Sequence, residues 1–321
     1  LLMLAGGMLW AQVGGVYEIA IGVRSLERQV EYWEKLGYRV EQRGALTAEQ
    51  AGQVYGVAEA VESVRMSQGG GGRVRLMKWE FGDRDGLAMS PLKVQGGRWA
   101  YVPTAAAQTV LRQMRALEKQ GGPVAIVSAS AAQPLLDPGS GTQLLLAIQP
   151  YTRSIFYQPG PSRVGTVRVG DGPFQTGPAT HAGIVVQCPK DSLRFYDEVL
   201  GLQRAPEKRF TAQDAVARAL LDLQPGEEYA LVDFAGPGEG AMQLRFVWFA
   251  PNVRMPDLRE RVRAGATGLW SYTMRVTGID DWREKVRLGG AADVQAVQRN
   301  EFGERSFSFR GPEGGVWSFV E

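Results

Sequence analysis

The sequence predicts an α+β fold of four strand–helix–strand–strand–strand units, arranged as two domains of two units each. Three observations predict it. A strand-then-helix pattern over 17–40, YEIAIGVRSLERQVEYWEKLGYRV, recurs over 180–202 as THAGIVVQCPKDSLRFYDEVLGL. In both copies a Tyr precedes a Leu-Gly pair by the same step, Tyr32 with Leu36-Gly37 and Tyr196 with Leu200-Gly201. Downstream, LTAEQA (46–51) answers FTAQDA (210–215), and Phe307, Phe309, Trp317 and Phe319 alternate with the period of two of a half-buried sheet.

The first unit opens with a strand over 16–23. Ser25 stands where an N-cap belongs, before a helix ending at Lys35, and the next strand covers 38–42. Thr47 caps a short helix stopped by Gly56, and strands follow over 60–67 and 73–79. Between them the four glycines 69–72 lack the Lys-Ser/Thr of a phosphate-binding loop and read as a hairpin loop. A polar connector over 81–97 leads to the second unit: a strand over 99–102, a helix over 104–119, and strands over 124–128, 143–148 and 154–157. Val110, Leu111, Met114 and Leu117 mark the buried face of that helix. The Gly/Pro-rich stretch 159–178 reads as the interdomain linker, with room for a short strand over 164–169.

In the third unit Pro189 ends the first strand, and Asp191 or Ser192 caps a helix holding Leu193, Phe195, Tyr196 and Val199. A helix near 212–221 and strands over 229–234 and 241–249 complete it. A basic connector, 252–268, is partly helical over 258–262. The fourth unit is a strand over 270–276, a helix around 280–286, and strands over 293–298, 305–309 and 316–320. The domains are then 16–158 and 179–321.

Composition narrows the function. The 321 residues suffice for two ordinary cores, and a net charge of +2 gives no electrostatic case for nucleic acid. The single cysteine, Cys188, excludes an internal disulfide and reads as a small filler at a strand end. Residues 1–11, LLMLAGGMLWA, are apolar, too short to span a bilayer, and end in an acceptable cleavage residue. Within a 1–15 segment they read as a front-trimmed secretory signal, so the mature chain is expected in the periplasm or outside the cell, with no stable membrane span. The competing reading is an apolar N-terminal strand of a cytoplasmic protein.

The run from His181 through Leu193, Phe195-Tyr196 and Leu200-Gly201, with the closing GPEGGVWSFVE, resembles the vicinal oxygen chelate superfamily. That superfamily includes glyoxalase I, bleomycin-resistance proteins and extradiol dioxygenases. The resemblance implies βαβββ modules whose paired sheets curl into a partly closed barrel around one cavity. It also implies metal ligands on the first and last strands of each module. Carried over, these positions fall on His181, Gln243, Ser271 and Ser318 in the second half. In the first half they fall on Glu18 and Arg75, then on Trp99-Ala100 and Arg153-Ser154.

One imidazole, one amide and two hydroxyls make a poor divalent site, so no metal cofactor is expected and His181 stands as a weak candidate ligand. Arg75 would repel a cation, and Glu18 with Arg75 reads as a polar pair across the first cavity. A site of two histidines and one carboxylate cannot be built within a chain holding one histidine. The leading expectation is therefore a metal-independent protein that binds a small organic molecule in the second-domain cavity, through His181, Gln243, Ser271, Ser318 and Trp317. Two alternatives stand beside it: a metal-dependent lyase, isomerase or dioxygenase, and a non-catalytic protein whose cavities are filled by side chains. His181 has a plainer reading too, as a strand-end histidine bonded to backbone.

Overall fold

A computed structural model describes residues 13–82, 84–163, 169–187, 193–237 and 241–321. The expectations for residues 1–11, Cys188, the Asp191/Ser192 cap and most of the 164–169 strand lie outside the described residues. Unit one comprises β1 (Val13–Gly22), α1 (Leu26–Lys35), β2 (Arg39–Leu46), α2 (Ala48–Tyr55), β3 (Val61–Ser67) and β4 (Arg73–Trp79). After β5 (Arg84–Asp85), unit two comprises β6 (Arg98–Pro103), α3 (Ala107–Lys119), β7 (Ala125–Val127), β8 (Leu135–Leu136), β9 (Gln143–Ile148) and β10 (Arg153–Gln158). Unit three has β11 (His181–Gln187), a π-helical turn (Phe195–Val199), β12 (Gln203–Arg204), β13 (Lys208–Thr211), α4 (Ala215–Leu221), β14 (Glu228–Ala235) and β15 (Gln243–Phe249). Unit four has β16 (Ala266–Val276), α5 (Ile279–Leu288), β17 (Gln298–Arg299), β18 (Arg305–Arg310) and β19 (Val316–Val320).

Local chemistry sets the helix starts. Ser25 Oγ accepts the Arg28 N–H, and Thr47 and Gln50 form a reciprocal capping box at α2. Asp214 caps α4 by accepting the Ala217 N–H at 2.8 Å. Gly56, at φ +72°, ends α2 in the left-handed conformation that glycine adopts without cost. The strand expected over 293–298 shrinks to β17, and the expected helical stretch over 258–262 is a single 3₁₀ turn, Arg259–Arg261.

The strands form two mixed sheets. One runs β17-β18-β19-β16-β1-β4-β3-β2, with β5 beside β16. The other runs β12-β14-β15-β11-β6-β10-β9-β7, with β13 beside β14 and β8 beside β9. Within each unit the first and last strands pair in parallel: β1–β4, β6–β10, β11–β15 and β16–β19. Between units the seams are antiparallel, β1–β16 and β6–β11.

This corrects the expected pairing. Unit one shares its sheet with unit four, and unit two with unit three, so the sheets do not follow the boundaries 16–158 and 179–321. Strand length gives a physical reason. Ten-residue β1 meets eleven-residue β16, while six-residue β6 meets seven-residue β11. Matched lengths leave fewer backbone groups without partners at a seam.

One large core joins the two sheets. Val16, Ile19 and Leu76 on one sheet, Ala182, Ile184 and Phe246 on the other, and α1, α3, α5 and the π-helical turn all contribute to it. Trp33 and Tyr196 are buried there, the core role their helical spacing predicts. Val16 and Met242 exchange two backbone hydrogen bonds of 2.9 Å, tying one sheet to the other. The 169–179 segment does not hang free between domains. Phe174 is buried, Thr176 Oγ1 donates to Leu36 O at 2.7 Å, and Gln68 Nε2 donates to Thr176 O at 2.6 Å. It is a strap fastened to unit one.

Candidate functional site

Alternation along the strands decides what lies opposite the helices. On β1 and β4, Ile19, Val74 and Leu76 enter the shared core, so Glu18, Ala20, Arg75 and Met77 point to the other face. On β11 and β15, Ala182, Ile184, Leu244 and Phe246 enter the core, which turns His181, Gly183 and Arg245 the opposite way. Each sheet therefore has an inner face of its own. The two are furnished differently.

On the unit one/unit four sheet side chains fill much of the inner face, with a cavity of about 320 Å³ beside Tyr55, Ser308 and Val316. Its apolar part packs Met77, Trp79 and Trp270 against Ala51, Val54 and Tyr55 of α2. Its polar part is a buried ionic network. Glu18 Oε2 accepts Arg65 Nε at 2.7 Å, and its other oxygen accepts Arg75 Nε at 2.5 Å. Arg75 continues to the Tyr55 hydroxyl at 2.5 Å, Thr273 Oγ1 at 3.0 Å and Glu301 at 3.3 Å. Arg65 gives two hydrogen bonds to Glu304, at 3.0 and 2.7 Å. Burial works against charge on Arg75, but Glu18 and the other acidic partners outweigh it and raise its pKa well above the ordinary value.

The unit two/unit three sheet keeps a cavity of about 440 Å³, reaching from β6 and β10 across to β13 and α4. Its aromatic walls are Tyr101, Tyr157, Phe210 and Tyr229, with Leu144, Val216, Leu220 and Leu231 between them. Deeper in, Trp99 lies over Gly183, where an added Cβ would sit 2.1 Å from the indole. Glycine is required there because the indole of its cross-strand neighbour on β6 lies across it.

His181 and Arg245 supply the polar floor. His181 Nδ1 lies 2.9 Å from Thr180 Oγ1, and Nε2 lies 3.2 Å from Arg245 Nη2. A guanidinium only donates, so Nε2 accepts and the proton of the neutral ring belongs on Nδ1. Burial first, then Arg245, pull the imidazole down to about 4. Arg245 is held by Asp233 in a two-pronged pair of 2.7 and 2.8 Å. Its guanidinium lies 4.7 Å from the Tyr101 ring centre. The Tyr101 ring in turn stands 5.7 Å from His181 and 5.6 Å from Tyr157. Burial raises the Tyr101 phenol, so it is a neutral hydroxyl at pH 7.

The anticipated site residues divide between the sheets. His181 and Gln243 are register partners on β11 and β15, with Gln243 exposed outside the cavity lining. Ser271 and Ser318 are buried on the other sheet and do not approach His181. Trp317 faces the shared core, packed on Tyr196 and Tyr272 at 5.4 and 5.6 Å, and donates its indole N–H to Glu313 at 2.7 Å. That corrects its assignment to a ligand cavity: its Cα register opposite Tyr272 turns it inward. Sequence reasoning missed Arg245, Tyr101 and Tyr157. Each falls on an assigned strand, and Arg245 and Tyr101 sit two residues beyond Gln243 and Trp99, on the same face by period two.

Neither inner face fits a divalent metal. Both Glu18 oxygens accept from arginines. Both His181 nitrogens are engaged, and an ion at Nε2 would displace or abut a guanidinium. Among the described residues no three His, Cys, Asp or Glu side chains gather as a metal-binding group.

Comparison with known proteins agrees with this architecture. Residues 179–319 match the family profile described as Glyoxalase/Bleomycin resistance protein/Dioxygenase superfamily. No curated protein matches the sequence. Among solved structures the chain is similar to glyoxalase I from Zea mays, with a TM-score of 0.62 and 12% identity over 97% of this chain and 93% of that one. It is also similar to a putative dioxygenase from Bacillus subtilis, with a TM-score of 0.57 and 13% identity over 96% and 85% of the two chains. At such identities the likeness speaks for the fold alone. Residues 179–319 thus match the glyoxalase/bleomycin resistance/dioxygenase superfamily, and the chain as a whole shares the fold of glyoxalase I.

Proposed function

We propose that the protein binds a small organic molecule, without a metal, in the cavity between units two and three. One observation carries the reading. Where a metal-using relative would need a cation's ligands, the only histidine shares its outward nitrogen with Arg245, inside an aromatic-walled cavity of about 440 Å³. Apolar walls with a few placed polar groups are the usual make-up of a small-molecule site. The location differs from the expected one: the cavity joins units two and three rather than three and four. A structural role with filled cavities is favoured only for the unit one/unit four face, where the ionic network and α2 occupy much of the space.

The test is a thermal-shift screen of aromatic compounds on chelator-treated protein, with metal analysis of the same sample. Ligand-induced stabilisation that survives chelation is expected, with less than about a tenth of an equivalent of metal, because one imidazole cannot hold an ion. His181→Ala should weaken binding by roughly 0.5–1.5 kcal/mol, the worth of one hydrogen bond. Near-stoichiometric metal that disappears in His181→Ala, together with a turnover, would overturn the proposal in favour of an enzyme.

A further inference from the structure

Resting on that reading, we propose that the occupant is a monoanion, a carboxylate carried on an aromatic or flat apolar body, with the carboxylate seated on Arg245. The floor of the cavity has an excess of donors. Arg245 commits Nε and Nη2 to Asp233 and Nη2 to His181, and is also hydrogen-bonded to the Tyr101 hydroxyl; neither Asp233 nor His181 takes Nη1. The Tyr101 hydroxyl accepts from Arg245 and so keeps its own proton to donate, while the Tyr157 hydroxyl lies 3.3 Å from Thr180 Oγ1. His181 offers nothing further, since one nitrogen accepts from Arg245 and the other faces Thr180. A ligand group that only accepts, and is planar, matches a guanidinium edge flanked by phenols.

Three carboxylates bear on the charge. Asp233 already balances part of Arg245, which favours a single negative charge over a phosphate dianion. Asp137 is turned into its own loop, accepting the Gly139 N–H at 3.0 Å and the Ser140 hydroxyl. Asp214 is exposed and caps α4. At the mouth, exposed Lys208 on β13 forms no ion pair with a described residue. It adds a positive charge to the lining, and β14 alone separates its strand from β15, which carries Arg245. Phe210 and Tyr229, stacked at 5.0 Å and 14°, with Leu220 and Leu144, provide the flat apolar wall for the body.

The experiment is isothermal titration of the intact protein with 1-naphthoate and 4-phenylbenzoate, each against its neutral primary amide, and with hexanoate. The aromatic acids should bind at least about tenfold more tightly than their amides, the usual scale for a hydrogen bond to a charged group. Hexanoate should bind more weakly than either aromatic acid. Arg245→Met should abolish the preference for acid over amide. Because that change strands Asp233, the exposed Lys208→Glu repeats the test from the rim, and should reduce acid binding by about threefold while leaving the amides unchanged. Amides that bind as well as the acids, or an acid preference untouched by both variants, would overturn the anion assignment and leave small-molecule binding standing. If neither acids nor amides bind, the small-molecule reading fails and the anion assignment falls with it.

Discussion

The two sheets share one topology and differ in what their inner faces hold. The unit one/unit four sheet closes over Glu18, Arg65, Arg75, Glu301 and Tyr55, each buried and each partnered. The unit two/unit three sheet leaves its floor, His181 and Arg245, against about 440 Å³ of open space. The difference begins with one short element. After its second strand unit one carries α2, whose Tyr55 accepts from Arg75 and donates to Glu301, and whose Ala51 and Val54 pack with Trp79 and Trp270. The matching helix of unit three, α4, stands instead as a cavity wall through Val216, Ala217 and Leu220. The two sheets thus present corresponding inner faces, and side chains decide how much open space each one keeps.

Four measurements would break or sharpen this contrast. The largest effect is expected at the unit one/unit four face. Glu18→Ala leaves Arg65 and Arg75 buried without their shared carboxylate, and should cost roughly 3–5 kcal/mol in urea unfolding. A loss below about 1 kcal/mol would mean that the network does not hold this sheet together.

At the open face the chain's only histidine permits a pH test. In the fold its pKa is about 4, below the ordinary 6.5. The unfolded chain therefore binds a proton in that interval which the folded chain refuses. Its contribution is intact above pH 6.5 and is lost as pH falls toward 4. Compared with His181→Gln, the native protein should lose at most on the order of 3 kcal/mol more across this window. Parallel stability curves for the two proteins would refute the neutral, buried imidazole.

Gly183→Ala comes next. Its Cβ would meet the Trp99 indole at 2.1 Å, so about 1–3 kcal/mol of overpacking and a changed near-ultraviolet circular dichroism signal are expected. An unchanged signal with full stability would show that the deep end of this cavity is not packed. The smallest effect belongs to Ser318→Ala. Ser318 lies on the unit one/unit four sheet, so ligand affinity at the open cavity should change by less than about 0.5 kcal/mol. A larger change would couple the two inner faces.

Much of this protein could be read locally. The Tyr–Leu-Gly echoes, the Ser25 and Thr47 caps and the Gly56 stop belong to segments of a few residues, and hydrogen bonds within those segments set them. Short apolar runs also placed His181 and Glu18 on first strands. What it could not supply was partnership between strands far apart in the chain. Glu18 meets Arg75 within one unit, but Thr273, Glu301 and Glu304 come from the opposite end of the sequence. Likewise, Tyr101 faces His181 only because β6 pairs with β11. Module identity is a local property of propensity, capping and hydrophobic period, and the amino-acid order determined it. Which module lies beside which depends on strand lengths, seam register and a core shared by all four units. Those are sums over contacts distant in sequence, so only the tertiary structure decided that Ser271, Ser318 and Trp317 part company with His181, and that Arg245 joins it.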